Sequence, residues 1–437
     1  MGRGIFNGML ENLDAAAGDL SDNRREGFNL SYELSDALKS ALSVFFFQHP
    51  SMLDFQTTMK QKWKRNNLET MMGVKEIPSN VQTTTLLDEI NPDSISGVFN
   101  KNLHTLDESD RRSAGSLNDF RCLDNGVLMA LDGVWYFSSE QIHCQNCLHK
   151  TKDGVTTYYH SVLAGTIVRP GNTAVLPVAP EMITNADHEG DSKKQDCERN
   201  AAKRWFSKHA DEYRWLSPTI LGDDLHSTYP FCKEILDNGY SFIFTCKDES
   251  HPWLAETVKN SFLEKTSRKE WNGRHHLTYT YQWLNGVQIR DNKETLLVNY
   301  FTLSIWNEKL KKQTYYNSWI TNKTITENNV AHLASCGRAR WKIENEHNNV
   351  LKNHGYNLEH NFGHGKTHAS EMYCLLNLLA FQMHSLLDVN DEDYRKARVY
   401  AGRRDEFFNE LRVLMRRNLF DSWQQLIVYM YTDPATG

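Results

Sequence analysis

The stretch Val127-Leu128-Met129-Ala130-Leu131-Asp132-Gly133-Val134-Trp135-Tyr136-Phe137 decides how this chain is read. It is apolar and strand-like, interrupted only by Asp132-Gly133. A carboxylate inside an apolar strand costs several kcal/mol unless it is paired or metal-bound. Asp132 is therefore a candidate functional residue. Downstream, Thr156 to Val168 alternates in strand fashion up to Arg169-Pro170-Gly171, and Thr173 to Val178 reads as another short strand. Asp187 to Lys194 is polar and loop-like, and Cys197 to His209 reads as a helix. Thr219-Ile220-Leu221 is a short buried strand that ends at Gly222-Asp223-Asp224. Tyr229 to Asn238 reads as a helix and Tyr240 to Cys246 as a strand.

That order, β-β-β-α-β-α-β, is how a ribonuclease-H-like mixed sheet is wired, so the expected fold class is mixed α/β. Around it the texture changes. Residues 1 to about 120 are expected to be mostly helical. Leu34, Ala37, Leu38, Ala41, Leu42 and Phe45 recur at helical spacing, Ser35-Asp36 is placed to cap them, and Pro50 would stop the helix. Leu53 to Met72 continues helically with Lys60, Lys62, Lys64 and Arg65 on its surface, and Val81 to Leu87 opens a further helix. Those four cations are either a solvated face or a DNA-contacting surface. His276 to Trp283, Glu294 to Trp306 and Gln313 to Trp319 are aromatic and β-branched, with turn signals at Asn285-Gly286 and Asp291-Asn292. They are expected to form an antiparallel β insertion. Ile325 to Leu387 is helical again, with a loop over Gly355 to Gly365. The expected organisation is a helical, DNA-end-binding region at 1–120, a core split into 121–260 and 326–390, the insertion at 261–325, and a basic helical tail at 391–437. That tail carries Arg395, Lys396, Arg398, Arg403, Arg404, Arg412, Arg416 and Arg417 and is a candidate for dimerisation or DNA contact.

With 437 residues, the chain is too long for one ordinary domain. Its 40% hydrophobic and 24% charged residues fit a globular protein. No run approaches the roughly 18 to 20 apolar residues of a membrane span; Leu375 to Phe381 is broken by Asn377 and followed by Gln382 and His384. Met1-Gly2-Arg3-Gly4 is not followed by an apolar signal region, and the eight cysteines show no disulfide-framework spacing. The expected location is cytoplasmic. The net charge of −6 argues that any DNA-binding surface is local.

Two further acids join Asp132. Asp223 follows a short strand at its C-terminal end, where mixed sheets place their sites. Glu344 lies in the helical, polar Arg340-Trp341-Lys342-Ile343-Glu344. In a ribonuclease-H-like fold the first and fourth strands are neighbours, so Asp132 and Asp223 would face each other and a late helix would bring Glu344 beside them. Three such carboxylates suit two Mg²⁺ ions, which take oxygen ligands and promote in-line phosphoryl displacement. Each acid also has a structural reading. Asp224 would be a helix cap with Asp223 merely beside it, and Glu344 would be a solvated partner of Arg340 at i,i+4. Asp224 and Glu346 remain alternatives to Asp223 and Glu344.

At this point the residues resemble a family. Leu131-Asp132-Gly133 with Phe137-Ser138-Ser139 is similar to the first-Asp motif of DDE transposases of bacterial insertion sequences. Leu221-Gly222-Asp223-Asp224-Leu225-His226 is similar to their second-Asp segment, and Gly337 to Glu346 followed by Lys352 to their Y-(2)-R-(3)-E-(6)-K signature. Similarity continues through Pro180 to Ile183, Lys194 to Glu198, Lys203 to Trp205 and Glu359 to Lys366, and covers about residues 30 to 390. Gly337 stands where the signature has Tyr, and seven residues rather than six separate Glu344 from Lys352. The resemblance implies a ribonuclease-H-like core with a β insertion, and a transposase that works on double-stranded DNA as at least a dimer. Asp132, Asp223 and Glu344 would bind two Mg²⁺ or Mn²⁺ ions, and Arg340 and Lys352 would hold phosphates. Hydrolysis at each transposon end would free a 3′-OH, which would attack a second phosphodiester in the opposite strand or in target DNA. Trp283, Trp306 and Trp319 of the insertion are candidates to hold a flipped base, or else pack the insertion's own core.

Other candidate chemistry is sparser. Cys144-Gln145-Asn146-Cys147 has one C-x₂-C pair flanked by His143 and His149. A structural zinc site normally draws four ligands from two separated pairs. No second C-x₂-C exists, although His160 would join if the strands paired as a hairpin, so a β-turn with buried thiols is the expected reading. His354, His360, His364 and His368 sit in a Gly-rich loop and are expected to contact phosphate or organise the loop. Asp196 and Glu198 open a helix, where acids complement the dipole; Glu181 would stand behind the metal ligands. There is no P-loop, G-x-G-x-x-G or G-x-S-x-G. Beside a transposase, the sequence leaves a metal-dependent DNA nuclease that cuts without joining, or a catalytically silent, transposase-derived DNA-binding protein.

Overall fold

A computed structural model describes residues 4–22, 24, 32–60, 66–109, 116–185, 195–292 and 294–432. Lys62, Lys64 and Arg65 of the basic cluster, and the polar stretch from Asp187 to Lys194, lie outside the described residues.

The fold is mixed α/β. Among the described residues ten strands form one sheet: β1 (Leu128–Ser139), β2 (Leu148–Lys152), β3 (Val155–Val168), β4 (Leu176–Ile183), β5 (Thr219–Gly222), β6 (Ser241–Thr245), β7 (Glu264–Trp271), β8 (His276–Gln288), β9 (Leu297–Asn307) and β10 (Lys312–Thr321). Their order is β2-β3-β1-β5-β6-β10-β9-β8-β7, with β4 on β3. Val127 to Leu131 is buried throughout, which is why it reads as a continuous apolar run rather than an alternating one. β1 runs antiparallel to β3 and parallel to β5, and β5 runs parallel to β6. Helix Glu198–Tyr213 precedes β5, and helix Tyr229–Asp237 makes the β5–β6 crossover. The β1–β5 register pairs Leu128 with Thr219 and Ala130 with Leu221, so its continuation brings Asp132 level with Asp223.

Several expectations shift. β2 forms a hairpin with β3 around Asp153-Gly154, both at positive φ, and is too polar and short to stand out in the sequence. β4 begins at Leu176 rather than Thr173, because Asn172 accepts the Ala174 N–H at 3.0 Å and prolongs the turn. β4 then runs on to Ile183 past Pro180, where the β3–β4 register slips and the ladder needs no N–H from proline. The insertion is antiparallel as expected, but it is no separate sheet: β10 pairs with β6 through Trp319–Thr245, Ile320–Phe244 and Thr321–Ile243. Asn285-Gly286 is a bulge inside β8 instead of a turn, with the Asn285 amide clamping Ile325 at 2.8 and 3.0 Å.

The N-terminal helices Ile5–Gly18, Leu34–Phe46 and Val98–Ser109 share one hydrophobic cluster with the sheet and the C-terminal helices. Helix Leu34–Phe46 starts at Glu33 in a capping box with Asp36, so Ser35 is already inside it. The helical pattern of Leu53 to Met72 resolves into Met52–Met59 and Asn67–Met72. At the centre lies helix Ala369–Asn390, the one described helix long and apolar enough to cross a membrane, buried continuously from Ala369 to Leu387. Its polar residues have partners inside: Gln382 donates to the Phe99 and Pro177 carbonyls at 2.9 and 2.8 Å and accepts from Asn102 at 3.0 Å. The tail folds back as Glu392–Ala401, Arg404–Arg417 and Trp423–Tyr431. Part of its basic charge is engaged within the fold, since Arg412 donates to the Phe47 and Gln48 carbonyls and Arg395 to the Val389 carbonyl.

Candidate functional site: a carboxylate cluster on the parallel strand pair

Asp132 sits on β1 where the run of fully buried residues ends. Asn348 donates to its Oδ2 at 3.1 Å. Burial, followed by the charges of Glu198, Glu344 and Asp223, pushes its carboxyl up to about 7 against the opposing pull of Arg340. Asp223 lies just past β5. Its Oδ1 accepts the Leu225 N–H at 2.9 Å and contacts His226 Nδ1 at 3.0 Å. Burial would raise the Asp223 carboxyl, but His226, the Leu225 amide and Arg340 together hold it below its ordinary value. The two strand acids thus stand side by side with opposite shifts, an arrangement typical of functional sites.

Arg340 and Glu344 are joined at 2.6 Å, as their i,i+4 spacing suggested. The Glu344 carboxylate is half exposed, yet its charge reaches Asp132, so it is both the solvated partner of Arg340 and a member of the cluster. The segment Ile343–Asn348 is a π-helical turn. Such a turn takes up one extra residue and is frequent at functional sites. The one-residue excess between Glu344 and Lys352 coincides with it. The missing tyrosine has a local reason as well: a Cβ on Gly337 would lie 2.8 Å from Nε1 of the buried Trp319.

The structure separates the paired alternatives. Asp224 is tied to the loop after β6, where it accepts the Lys247 N–H at 2.7 Å and the Ser250 hydroxyl. Glu346 lines a different cavity, with Phe381, Arg395, Arg398 and Arg404. Lys352 is ion-paired with Glu359 at 2.6 Å, with no contact to the acids. Trp283 and Trp319 are buried in the sheet's own packing and Trp306 is exposed.

Glu198, in the first turn of its helix where an acid complements the dipole, also belongs to the cluster. Its Oε1 lies 3.5 Å from Nε2 of the buried His226, its carboxylate accepts the Gly133 N–H, and burial raises its carboxyl. Gly133 makes room for it: a Cβ there would stand 2.5 Å from Glu198 Oε2. The remaining acids in this region differ in kind. Glu181 is paired with Arg204 at 2.8 Å and Lys208 at 2.9 Å, and Asp196 with Arg204 at 2.7 Å, so both have cations of their own. Four carboxylates, Asp132, Glu198, Asp223 and Glu344, lie near the Arg340 guanidinium. Carboxylate oxygens in excess of cations suit a hard divalent ion. The His-rich loop divides: His354 and His360 are exposed, His368 meets Glu371 at 3.1 Å, and His364 is buried against Cys147. No protein-family model matches the chain, and no curated protein matches it.

Proposed function

We propose that the chain is a DDE transposase, which cleaves transposon ends and joins the freed 3′-OH to a second phosphodiester. The observation that carries this reading is the gathering of Asp132, Glu198, Asp223 and Glu344 around Arg340 at one end of the β1–β5 pair. The core order β4-β3-β1-β5-β6 supports a ribonuclease-H-like centre, since it sets the first core strand beside the fourth, with β1, β5 and β6 parallel. Asp132, Asp223 and Glu344 would hold Mg²⁺ or Mn²⁺, which when bound supplies Lewis-acid stabilisation to the attacking and leaving oxygens of a phosphoryl transfer.

The chain's own groups do the positioning. Asn348 fixes the Asp132 carboxylate, and the Leu225 amide and His226 fix that of Asp223. Glu344 orients the Arg340 guanidinium, whose fork can then grip a non-bridging phosphate oxygen. Glu198 adds a fourth negative group that raises the demand for a cation at Asp132. Double-stranded DNA, a dimeric complex holding two ends and a cytoplasmic, nucleoid-associated location complete the proposal. Of the three tryptophans named from the sequence, Trp283 and Trp319 are buried and Trp306 is open to stack on a base.

The test is cleavage and joining of a labelled fragment carrying the flanking terminal repeats, with Mg²⁺ or with chelator, for wild type and Asp132→Asn. Metal-dependent nicking with joined products, lost in the variant while end binding persists, is the expected result. Nicking without joining would favour a nuclease. Sequence-specific binding with no cleavage under any divalent ion would favour a silent binding protein.

A further inference from the structure

Beside the carboxylate cluster, four side chains far apart in sequence meet at one point. Cys144 and Cys147 lie in the turn before β2, His160 is on β3 opposite Phe137, and His364 comes from the loop that leads into helix Ala369–Asn390. All their ligand atoms lie within 4.8 Å of one another. Sγ of Cys144 and Cys147 are 3.8 Å apart. His160 Nε2 is 3.4 Å from Cys144 Sγ and 3.3 Å from Cys147 Sγ, and His364 Nε2 is 3.7 Å from Cys147 Sγ. A tetrahedral zinc ion, with Zn–S near 2.3 Å and Zn–N near 2.0–2.1 Å, requires edges of about 3.8 Å for S···S and about 3.5 Å for S···N. The four edges from 3.3 to 3.8 Å lie close to that solid, and the remaining two are within 4.8 Å. A disulfide, at about 2.05 Å, does not fit the 3.8 Å sulfur separation, and both thiols are free.

The orientation of the rings makes the same point. Both histidines turn Nε2 to the sulfurs and leave a buried Nδ1 without a hydrogen-bond partner among the described residues. What points to the ion is the turn of both Nε2 atoms toward the sulfurs, since weak thiol–imidazole contacts return little for burying two rings, whereas two coordinate bonds return far more. Cys147, His160 and His364 are buried and Cys144 is half-buried, so the site has no open position for a substrate.

We propose that Cys144, Cys147, His160 and His364 form a structural zinc site. Two thiols lose their protons on binding, and the two thiolates neutralise the ion, so the buried centre carries no net charge. Its role is to tie three distant segments together: the end of β1 with its following turn, β3, and the loop ahead of the central helix. The same junction is laced by Asn146, which donates to the Thr367 carbonyl and to Glu371, each at 2.9 Å. Asp132 lies on the strand so anchored, five residues before Phe137, whose ring packs against His364 at 4.4 Å. The site stands whether or not the carboxylate cluster proves catalytic.

The test is the zinc content of untagged protein purified without added metal or chelator, backed by the absorption spectrum of Co²⁺-substituted wild type. The expected result is about one tightly held zinc per chain, as for a preformed Cys/His site, with a tetrahedral, thiolate-ligated Co²⁺ spectrum. Cys147→Ser and His364→Ala should each lose an equivalent of zinc, while Asp132→Asn keeps it. Cys122→Ser should also keep it, and this control matters because Cys122, His332 and Cys336 form a second, three-ligand group. Where the Cys147 and His364 variants do not fold, the wild-type Co²⁺ spectrum decides. Absence of zinc together with an octahedral or featureless Co²⁺ spectrum would overturn the proposal, as would zinc retained in full by soluble Cys147→Ser.

Discussion

At the scale of single residues, Asp132 carries the clearest physical signature. Its carboxyl titrates near 7 when folded and no metal is bound, against about 3.9 in an unfolded chain. Between those values the folded state binds the extra proton at Asp132, so the contribution of this group to stability falls as pH rises from about 4 to about 7 and levels off above. In protein without added Mg²⁺, Asp132→Asn should remove that contribution and raise stability at pH 8 by on the order of 4 kcal/mol, read by urea unfolding across pH. An unchanged slope would place the titration elsewhere. Gly133→Ala should act on the site rather than on the fold: its Cβ would push the flexible end of Glu198 aside, so weaker activity is expected with a stability change of about 0.5 kcal/mol or less, read by thermal unfolding beside a cleavage assay. Asp132 was legible in the sequence because a charge inside an apolar strand is costly and visible. Glu198 was not, because an acid in the first turn of a helix already has an ordinary explanation, and its approach to Gly133 is a tertiary fact. Asn348 left a fainter trace, four positions after Glu344 and eight after Arg340, though the π turn alters that spacing.

At the scale of elements, the parallel β1–β5–β6 group and its helices could be read in advance because strands buried on both faces give unbroken apolar runs. The hairpin strand β2, the Asn285-Gly286 bulge and the merging of β10 with β6 could not. Each depends on which strand becomes a neighbour, and a turn dipeptide looks the same in a bulge as in a hairpin loop. The meeting of β10 with the Glu344 segment shows how such contacts constrain sequence. Trp319 on β10 occupies the space a side chain at position 337 would need. Gly337→Ala is therefore expected to destabilise the fold by about 1–3 kcal/mol through overpacking. It should also lower cleavage more than its stability loss explains, because the Arg340–Glu344 pair follows within seven residues. Thermal unfolding beside a cleavage assay checks both, and a variant as stable and active as wild type would show that the contact is unimportant.

At the scale of the whole molecule, one hydrophobic cluster runs from Ile5 to Met430, with helix Ala369–Asn390 through its centre. Gln382 bridges the N-terminal helices to β4, so Gln382→Leu should cost about 2–4 kcal/mol by stranding the Phe99 and Pro177 carbonyls and the Asn102 amide. A loss of under about 0.5 kcal/mol on chemical denaturation would be too small for stranded buried groups. On the proposed reading, a chain with a net charge of −6 would hold DNA through local cations, so end binding should weaken steeply as salt rises from 50 to 200 mM. What the molecule does as a unit is bring acids from β1, the β5 end and two helices to one place around the Arg340 guanidinium. Whether that excess of negative charge exists to hold divalent ions is tested most directly by titrating Mn²⁺ into DNA-free protein and following its bound fraction by electron paramagnetic resonance. The account predicts saturable Mn²⁺ binding by wild type, competed by Mg²⁺, and weakened at least tenfold in folded Asp132→Asn and Glu344→Gln. Wild-type Mn²⁺ affinity in both variants would contradict it.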